Sequence, residues 1–324
     1  MEKEAYLARY RTADEIRHSG AIGSLNEGAV IDLHGLHTRL VAWPGNGFQS
    51  ESVHVLTLEP GQKSNEYAYY GSEEAMICLD GEAEVVLHER WVNMLPGDIA
   101  YFPEGTRRVI RNRSKERPLS LVSQITPPPV ELYAGSGLYN EALGTMNFEA
   151  CYRAALNASS GDLCAPLALA YRETEEDVRS WNLEAAEVRE RGALFNMFTG
   201  APFDALGIPA RLVVWPGAGP RSAGFNLAYS PNPEADFIHT HPISDECLFL
   251  WSGKGRGFLG GATWLEMDTL ECLLAPCGVI HGHWGEKTLW GGFASPPQPD
   301  LLVKTPYYQV GAISAAKSQR LELE

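Results

Sequence analysis

An internal repeat constrains the fold of this chain more than any other feature of its sequence. The segment RLVAWPGNG at residues 39–47 recurs as RLVVWPGAG at residues 211–219, an offset of 172. The same offset carries Gly81 onto Gly253. Because the match runs without a gap from about residue 13 to residue 81, it indicates a duplication. We therefore expect two copies of one domain.

Each copy consists of short runs of β-branched and apolar residues separated by turn-forming residues. The 32 glycines and 21 prolines of the chain supply those turns. Even spacing without intervening helices favours antiparallel sandwiches or barrels over a βαβ fold. The predicted strands are 52–58, 75–79, 83–87 and 99–102 in the first copy, and 225–229, 237–241, 247–251 and 270–274 in the second. The fold class is all-β.

The domain boundaries follow from where the helical and proline-rich segments lie. Helical signals fall between the copies, at 148–156 and in the charged run 173–191. Consecutive prolines after Thr126 cannot join a central strand, so the linker begins there. The predicted organisation is an N-terminal domain at 1–126, a linker with a short helix at 127–171, and a C-terminal domain at 172–324.

Composition excludes several classes of partner. The chain has 26 basic and 41 acidic residues, a net charge of −15, which disfavours nucleic acid and anionic membranes. The charged N-terminus lacks the apolar core of a signal peptide, and no apolar stretch approaches the ~18 residues of a membrane span. None of the six cysteines forms a CxxC pair, which suits reduced thiols. We expect a cytoplasmic protein with a small-molecule substrate.

A histidine-rich motif in the second copy points to a metal site. His239 and His241 are two residues apart, so on a strand both side chains face the same side. Glu246 returns from the next strand after a short turn, and His281 follows on a later strand. Three imidazoles and one carboxylate suit one divalent transition metal per chain. Fe²⁺ is the favoured ion, and Mn²⁺, Zn²⁺, Ni²⁺ or Co²⁺ are the alternatives. The competing interpretation is a chance grouping of polar residues.

This motif resembles the two conserved motifs of the cupin superfamily. The resemblance covers nearly the whole chain, with one cupin per repeat, so the architecture resembles a bicupin. It implies two small jelly-roll β-barrels, the second of which binds a metal through the four residues His239, His241, Glu246 and His281.

The first copy keeps the frame of the motif and changes its chemistry. Tyr67, Tyr69 and Arg108 stand in the three histidine positions, while Glu74 is retained. A guanidinium stays protonated and repels a metal cation. We expect Arg108 to pair with Glu74 and the N-terminal metal site to be lost. A satisfied internal polar network is the favoured interpretation of these residues, and a second binding site is the alternative.

His283 is the candidate catalytic residue. It lies two residues after His281, so on a regular strand both side chains enter the barrel. There it can orient a substrate or move a proton. The alternative is a histidine at the barrel rim with no role.

Three functional hypotheses remain open, because a fold does not fix chemistry. The first is an Fe(II) dioxygenase acting on a small aromatic, diketone or carboxylic acid substrate. The second is a redox-neutral isomerase, decarboxylase, lyase or hydrolase that uses Mn, Zn or Ni. The third is a non-catalytic small-molecule-binding protein. We also expect a homodimer or higher homo-oligomer, since sheet edges need covering.

Overall fold

The structure is a computed structural model, and it describes residues 3–161, 163, 169, 171, 177–205, 208–230, 237–260, 263–297, 320, 321 and 323. Its architecture is all-β, as predicted, with the strands gathered mainly into two barrels. None of the described helices is long and apolar enough to span a membrane.

The first half of the chain forms the N-terminal barrel. Its strands alternate buried and exposed positions where one face meets the core, as in β6 with the pattern buried, intermediate, buried. The strands are β1 (Ala21–Ser24), β2 (Val30–Leu33), β3 (Leu36–Ala42), β4 (Ser52–Leu58), β5 (Glu73–Asp80), β6 (Ala83–Leu87), β7 (Arg90–Met94), β8 (Asp98–Phe102), β9 (Ile110–Asn112) and β10 (Leu119–Thr126).

Short elements connect the barrels. They are the strands β11 (Tyr139–Asn140) and β12 (Thr145–Met146) and the helices α2 (Phe148–Asn157) and α3 (Ala185–Arg191), while α1 (Ala13–Ser19) precedes the first barrel. The helix predicted over 173–191 is shorter than expected, and residues 172–176 lie outside the described part. Arg179 is buried in an ion pair with Asp98 at 2.7 Å. This contact ties the segment before α3 to the N-terminal barrel in non-helical form.

The second half forms the C-terminal barrel with the same succession of strands. They are β13 (Ala193–Asn196), β14 (Ala201–Ala205), β15 (Ile208–Val214), β16 (Phe225–Ser230), β17 (Phe237–His239), β18 (Asp245–Ser252), β19 (Gly255–Leu259), β20 (Thr263–Met267), β21 (Glu271–Ala275), β22 (His281–Gly285) and β23 (Thr288–Ser295).

Each barrel has a large and a small sheet, and the barrels exchange one strand. The large sheets have the orders β13-β8-β5-β10-β4-β3-β2 and β1-β21-β18-β23-β16-β15-β14. The small sheets are β7-β6-β9 and β17-β22-β19-β20. Thus β1 pairs with β21 of the C-terminal barrel, and β13 pairs with β8 of the N-terminal barrel. Each half of the chain therefore covers a sheet edge of the other.

Two acidic residues at equivalent positions repeat this exchange. Glu73 of the N-terminal barrel accepts hydrogen bonds from the backbone amides of Arg221 and Ser222 at 2.8–3.0 Å. Asp245, 172 residues later, accepts from the amides of Gln49 and Ser50 at 2.6 and 2.7 Å. Between them lies an apolar core that both large sheets share, including Val53, Ile77, Val122, Cys247, Phe249 and Phe293. The two barrels consequently share one core, and the contacts that join them repeat at the offset of 172 residues.

Candidate metal centre

The four predicted ligands come together at one end of the C-terminal barrel. His239 ends β17 and His281 begins β22, and the two are paired directly in register. Glu246 lies in β18. The strand predicted to reach His241 stops at His239, because the His241 carbonyl accepts from the Gly278 amide of the neighbouring loop. His241 is nevertheless buried beside the other three residues.

The ligand atoms converge on one point. One nitrogen of each histidine and one oxygen of Glu246 all lie within 4.8 Å of one another. Glu246 Oε2 is 2.8 Å from His281 Nε2 and 3.4 Å from His241 Nε2. It is 3.9 Å from His239 Nε2. A divalent ion at the centre of such a set reaches nitrogen and oxygen ligands at about 2.0–2.2 Å, and the group is compact enough to surround it.

The tautomer of His281 is evidence for a cation between the four converging side chains. His281 Nδ1 lies 2.9 Å from the carbonyl of Val279, an acceptor only, so Nδ1 carries a proton and donates it. In the neutral ring Nε2 then presents a lone pair to Glu246 Oε2 at 2.8 Å. Two lone pairs at that distance require a proton or a metal ion between them. The convergence of two further imidazoles favours the metal ion, and the Val279 carbonyl orients the ligand.

The charge states of the ligands also fit metal binding, which needs neutral imidazole and ionised carboxylate. Burial lowers the pKa of His239 to about 3 and that of His241 to about 4, so both are neutral at neutral pH. Burial acts to raise the pKa of Glu246, but the neighbouring His241 and His281 outweigh it and hold that pKa below its usual range. The site therefore presents two neutral imidazoles and an ionised carboxylate to a metal ion.

His283 shares the inner face of the barrel with His281, as the strand period predicts. It pairs with Phe237 two positions from the His239–His281 pair. Its ring packs against buried Trp290, with the ring centroids 5.0 Å apart. His239 is the most exposed ligand, at 26%, whereas His283 is 5% exposed. Solvent thus meets the site at His239, and His283 lies inside.

Two features near Glu246 escaped the sequence analysis. Gly292 faces its carboxylate, and a Cβ added there would lie 3.0 Å from Glu246 Oε1. Glu51, from the N-terminal barrel, is buried near the same carboxylate, and burial followed by Asp245 and Glu246 raises its pKa well above the usual range. The repeat shows neither feature, because both depend on which strands and barrels pack together.

Comparison with known proteins agrees with this architecture. Residues 54–125 match the family model of the cupin domain. Protein YlbA from E. coli is similar over 86% of this chain and 91% of its own, with a TM-score of 0.56 and 10% identity. A mutant of Bacillus subtilis oxalate decarboxylase OxdC is similar over 86% and 77%, with a TM-score of 0.52 and 15% identity. The chain has the bicupin fold.

The other comparisons add no function. The coconut allergen cocosin is similar over 87% of this bicupin and 86% of its own chain, with a TM-score of 0.54 and 10% identity. No curated protein matches the chain in sequence. At such identities the structural likeness shows the fold alone. The family match also covers only the N-terminal barrel, so the metal centre depends on the geometry above.

The N-terminal barrel of the bicupin holds an ion pair at the equivalent place. Arg108 Nε lies 3.2 Å from Glu74 Oε2, and both side chains are buried, which confirms the predicted pair. Tyr67 donates to the same oxygen at 3.3 Å, and Ser123 donates to Oε1. The predicted network is only partly satisfied, however, because Nη1 and Nη2 of Arg108 have no hydrogen-bond partner among the described residues.

Proposed function

We propose that this bicupin is a metal-dependent enzyme that binds one divalent transition-metal ion per chain. His239, His241, Glu246 and His281 would hold the ion, and a small organic molecule would be the substrate. The observation that carries the proposal is the convergence of three imidazoles and one ionised carboxylate within 4.8 Å, inside a barrel that opens to solvent at His239. Such sets are rare without a metal, since buried charges need partners.

The surroundings of the site suit catalysis on a small molecule. A bound ion would act as a Lewis acid or, if it is Fe²⁺, activate dioxygen at ligand positions that the protein leaves open. The interior around it is apolar, with Leu248, Leu250, Leu259, Leu273 and Trp290 in one cluster. Such walls exclude water and strengthen each polar contact made inside. We propose that His283, which is buried on the same strand as His281, hydrogen-bonds a substrate there.

For the reaction, we propose Fe(II)-dependent dioxygenation of an aromatic, diketone or carboxylic acid substrate. The nitrogen-rich ligand set and the apolar interior support this choice. A redox-neutral reaction with Mn²⁺ is the second candidate. It is favoured by the likeness to Bacillus subtilis oxalate decarboxylase, whose Mn(II) centres are named for a structure similar at a TM-score of 0.52 and 14% identity.

One experiment separates these candidates. The protein is purified without added metal, its metal content is measured, and substrates are screened with an oxygen electrode and by product analysis under argon. We expect one Fe per chain and oxygen uptake with one substrate class. Turnover under argon with bound Mn instead identifies the redox-neutral enzyme. A protein that holds no transition metal after loading and dialysis overturns the proposal.

A further inference from the structure

The buried guanidinium of the N-terminal barrel has unused hydrogen-bonding capacity. Arg108 is 0% exposed. Its contact with Glu74 involves Nε, while Nη1 and Nη2 have no hydrogen-bond partner among the described residues. Buried guanidinium groups normally use their donors, and exceptions call for an explanation such as a bound ligand. Apart from the ion pair of Nε with Glu74, the five N–H groups of Arg108 thus have no hydrogen-bond acceptor among the described residues.

The acceptors nearest Arg108 are already engaged. Glu74 accepts from Ser123 and Tyr67 in addition to its contact with Arg108. In the same barrel His54 Nδ1 is also buried without a hydrogen-bond partner in the described part. The described residues of this barrel therefore contain more buried polar groups than they pair, and they supply no acceptor for Nη1 and Nη2 of Arg108.

Aromatic rings separate this guanidinium from solvent. The rings of Tyr67, Tyr69 and Phe102 lie 4.8–5.3 Å from Arg108 Cζ. His34, which is only half-buried, stacks on Tyr67 with centroids 3.8 Å apart and planes 2° from parallel. Burial, together with the charge of Arg108, lowers the pKa of His34 to about 4, so this cover is neutral. Any ligand of Arg108 would therefore have to displace part of this aromatic cover, in which His34 is the most exposed ring.

We propose that the N-terminal barrel binds a small carboxylate with a flat apolar body, whose two oxygens accept from Nη1 and Nη2 of Arg108. The planar guanidinium fork matches a carboxylate in this bidentate way. The flat body replaces the ring contacts that Tyr67 gives up on moving. This site is separate from the metal centre and does not depend on the proposed reaction.

Isothermal titration of the full-length protein with benzoate tests the site. Benzamide, which has the same shape as benzoate but no charge, is the control ligand. We expect saturable binding of benzoate at one site, and binding of benzamide at least ~10-fold weaker, because charge-assisted hydrogen bonds are the stronger ones. Arg108→Lys keeps the ion pair with Glu74 but loses the fork, and should weaken benzoate binding by about 10-fold.

A variant of the other barrel assigns the site. His281→Gln removes a proposed metal ligand and should leave benzoate binding unchanged. Loss of binding in His281→Gln would place benzoate at the metal centre and overturn the proposal. Absence of saturable benzoate binding, equal binding of benzamide, or an unchanged affinity in Arg108→Lys would also overturn it. The benzoate–benzamide comparison uses the wild-type protein, so it holds even if Arg108→Lys does not fold.

Discussion

The two barrels place a glutamate at the same point of the same strand and surround it differently. Glu246 faces three imidazoles in the C-terminal barrel, whereas Glu74 faces the guanidinium of Arg108 in the N-terminal barrel. A buried carboxylate needs a positive partner in either case. The chain itself supplies that partner in the first barrel, and we propose that a metal ion supplies it in the second. Duplication has kept the carboxylate and changed the source of its counter-charge.

A second difference lies behind the glutamate. Ser123 donates a hydrogen bond to Glu74 in the N-terminal barrel. At the equivalent ladder position of the C-terminal barrel stands Gly292, opposite Leu248 and Asn226. Glycine leaves Glu246 Oε1 without that donor and lets the carboxylate approach the backbone. The N-terminal carboxylate is thus held by the protein on both oxygens, while the C-terminal one keeps capacity for a metal ion.

The largest expected effect separates the barrels by metal content. His241→Ala should lower metal affinity by at least ~10²-fold, since even residues that only orient metal ligands contribute 10–100-fold. The matched change Tyr69→Ala, 172 residues earlier, should leave one metal per chain. Metal analysis after dialysis measures both. Two tightly held metals in the wild type, or unchanged metal in His241→Ala, would remove the distinction between the barrels.

The next effect concerns the ion pair that replaces the metal site. Arg108→Met leaves Glu74 buried without its counter-charge, which should lower the free energy of unfolding by about 3–5 kcal/mol. Metal content should not change. Arg107→Met is the control, because Arg107 and its partner Glu66 are both exposed and such pairs contribute about 0–1 kcal/mol. Urea unfolding that shows equal losses for the two variants would contradict a buried, charged pair.

A smaller effect concerns His283, whose counterpart in the N-terminal barrel is Ile110. His283→Ala should keep metal near the wild-type level and lower turnover by ~10²-fold, the usual contribution of a positioned polar group. His283→Gln should recover part of the loss if the ring only hydrogen-bonds the substrate. The measurement is kcat with the substrate identified in the oxygen-electrode screen. Full turnover in His283→Ala would make His283 a packing residue against Trp290.

The fold and the grouping of the four candidate ligands could be predicted from sequence, because both rest on local spacing. The repeat predicts two barrels, and the period of two places His281 and His283 on one face. The exchange of β1 and β13 was not predicted, because those strands pair with residues far along the chain. Glu51 approaches Glu246 only through such packing between the barrels, and Gly292 does so through the pairing of β18 with β23. Spacing within one copy carries no information about contacts between copies.

The smallest expected effect is the pH dependence that His54 of the N-terminal barrel adds, since Asn226 stands in its place in the C-terminal barrel. His54 is fully buried, and burial lowers its pKa to about 3. The unfolded chain binds a proton there below about pH 6.5. The folded chain does not bind that proton until about pH 3. The contribution of His54 to stability is therefore complete above pH 6.5 and is lost as the pH falls toward 3.

Between pH 6.5 and 5 the loss of stability from His54 amounts to about 2 kcal/mol. His54→Asn, which copies the C-terminal barrel, should lose about 2 kcal/mol less free energy of unfolding in urea than the wild type between pH 6.5 and 5. Equal slopes for the variant and the wild type would show that His54 is protonated in the folded barrel.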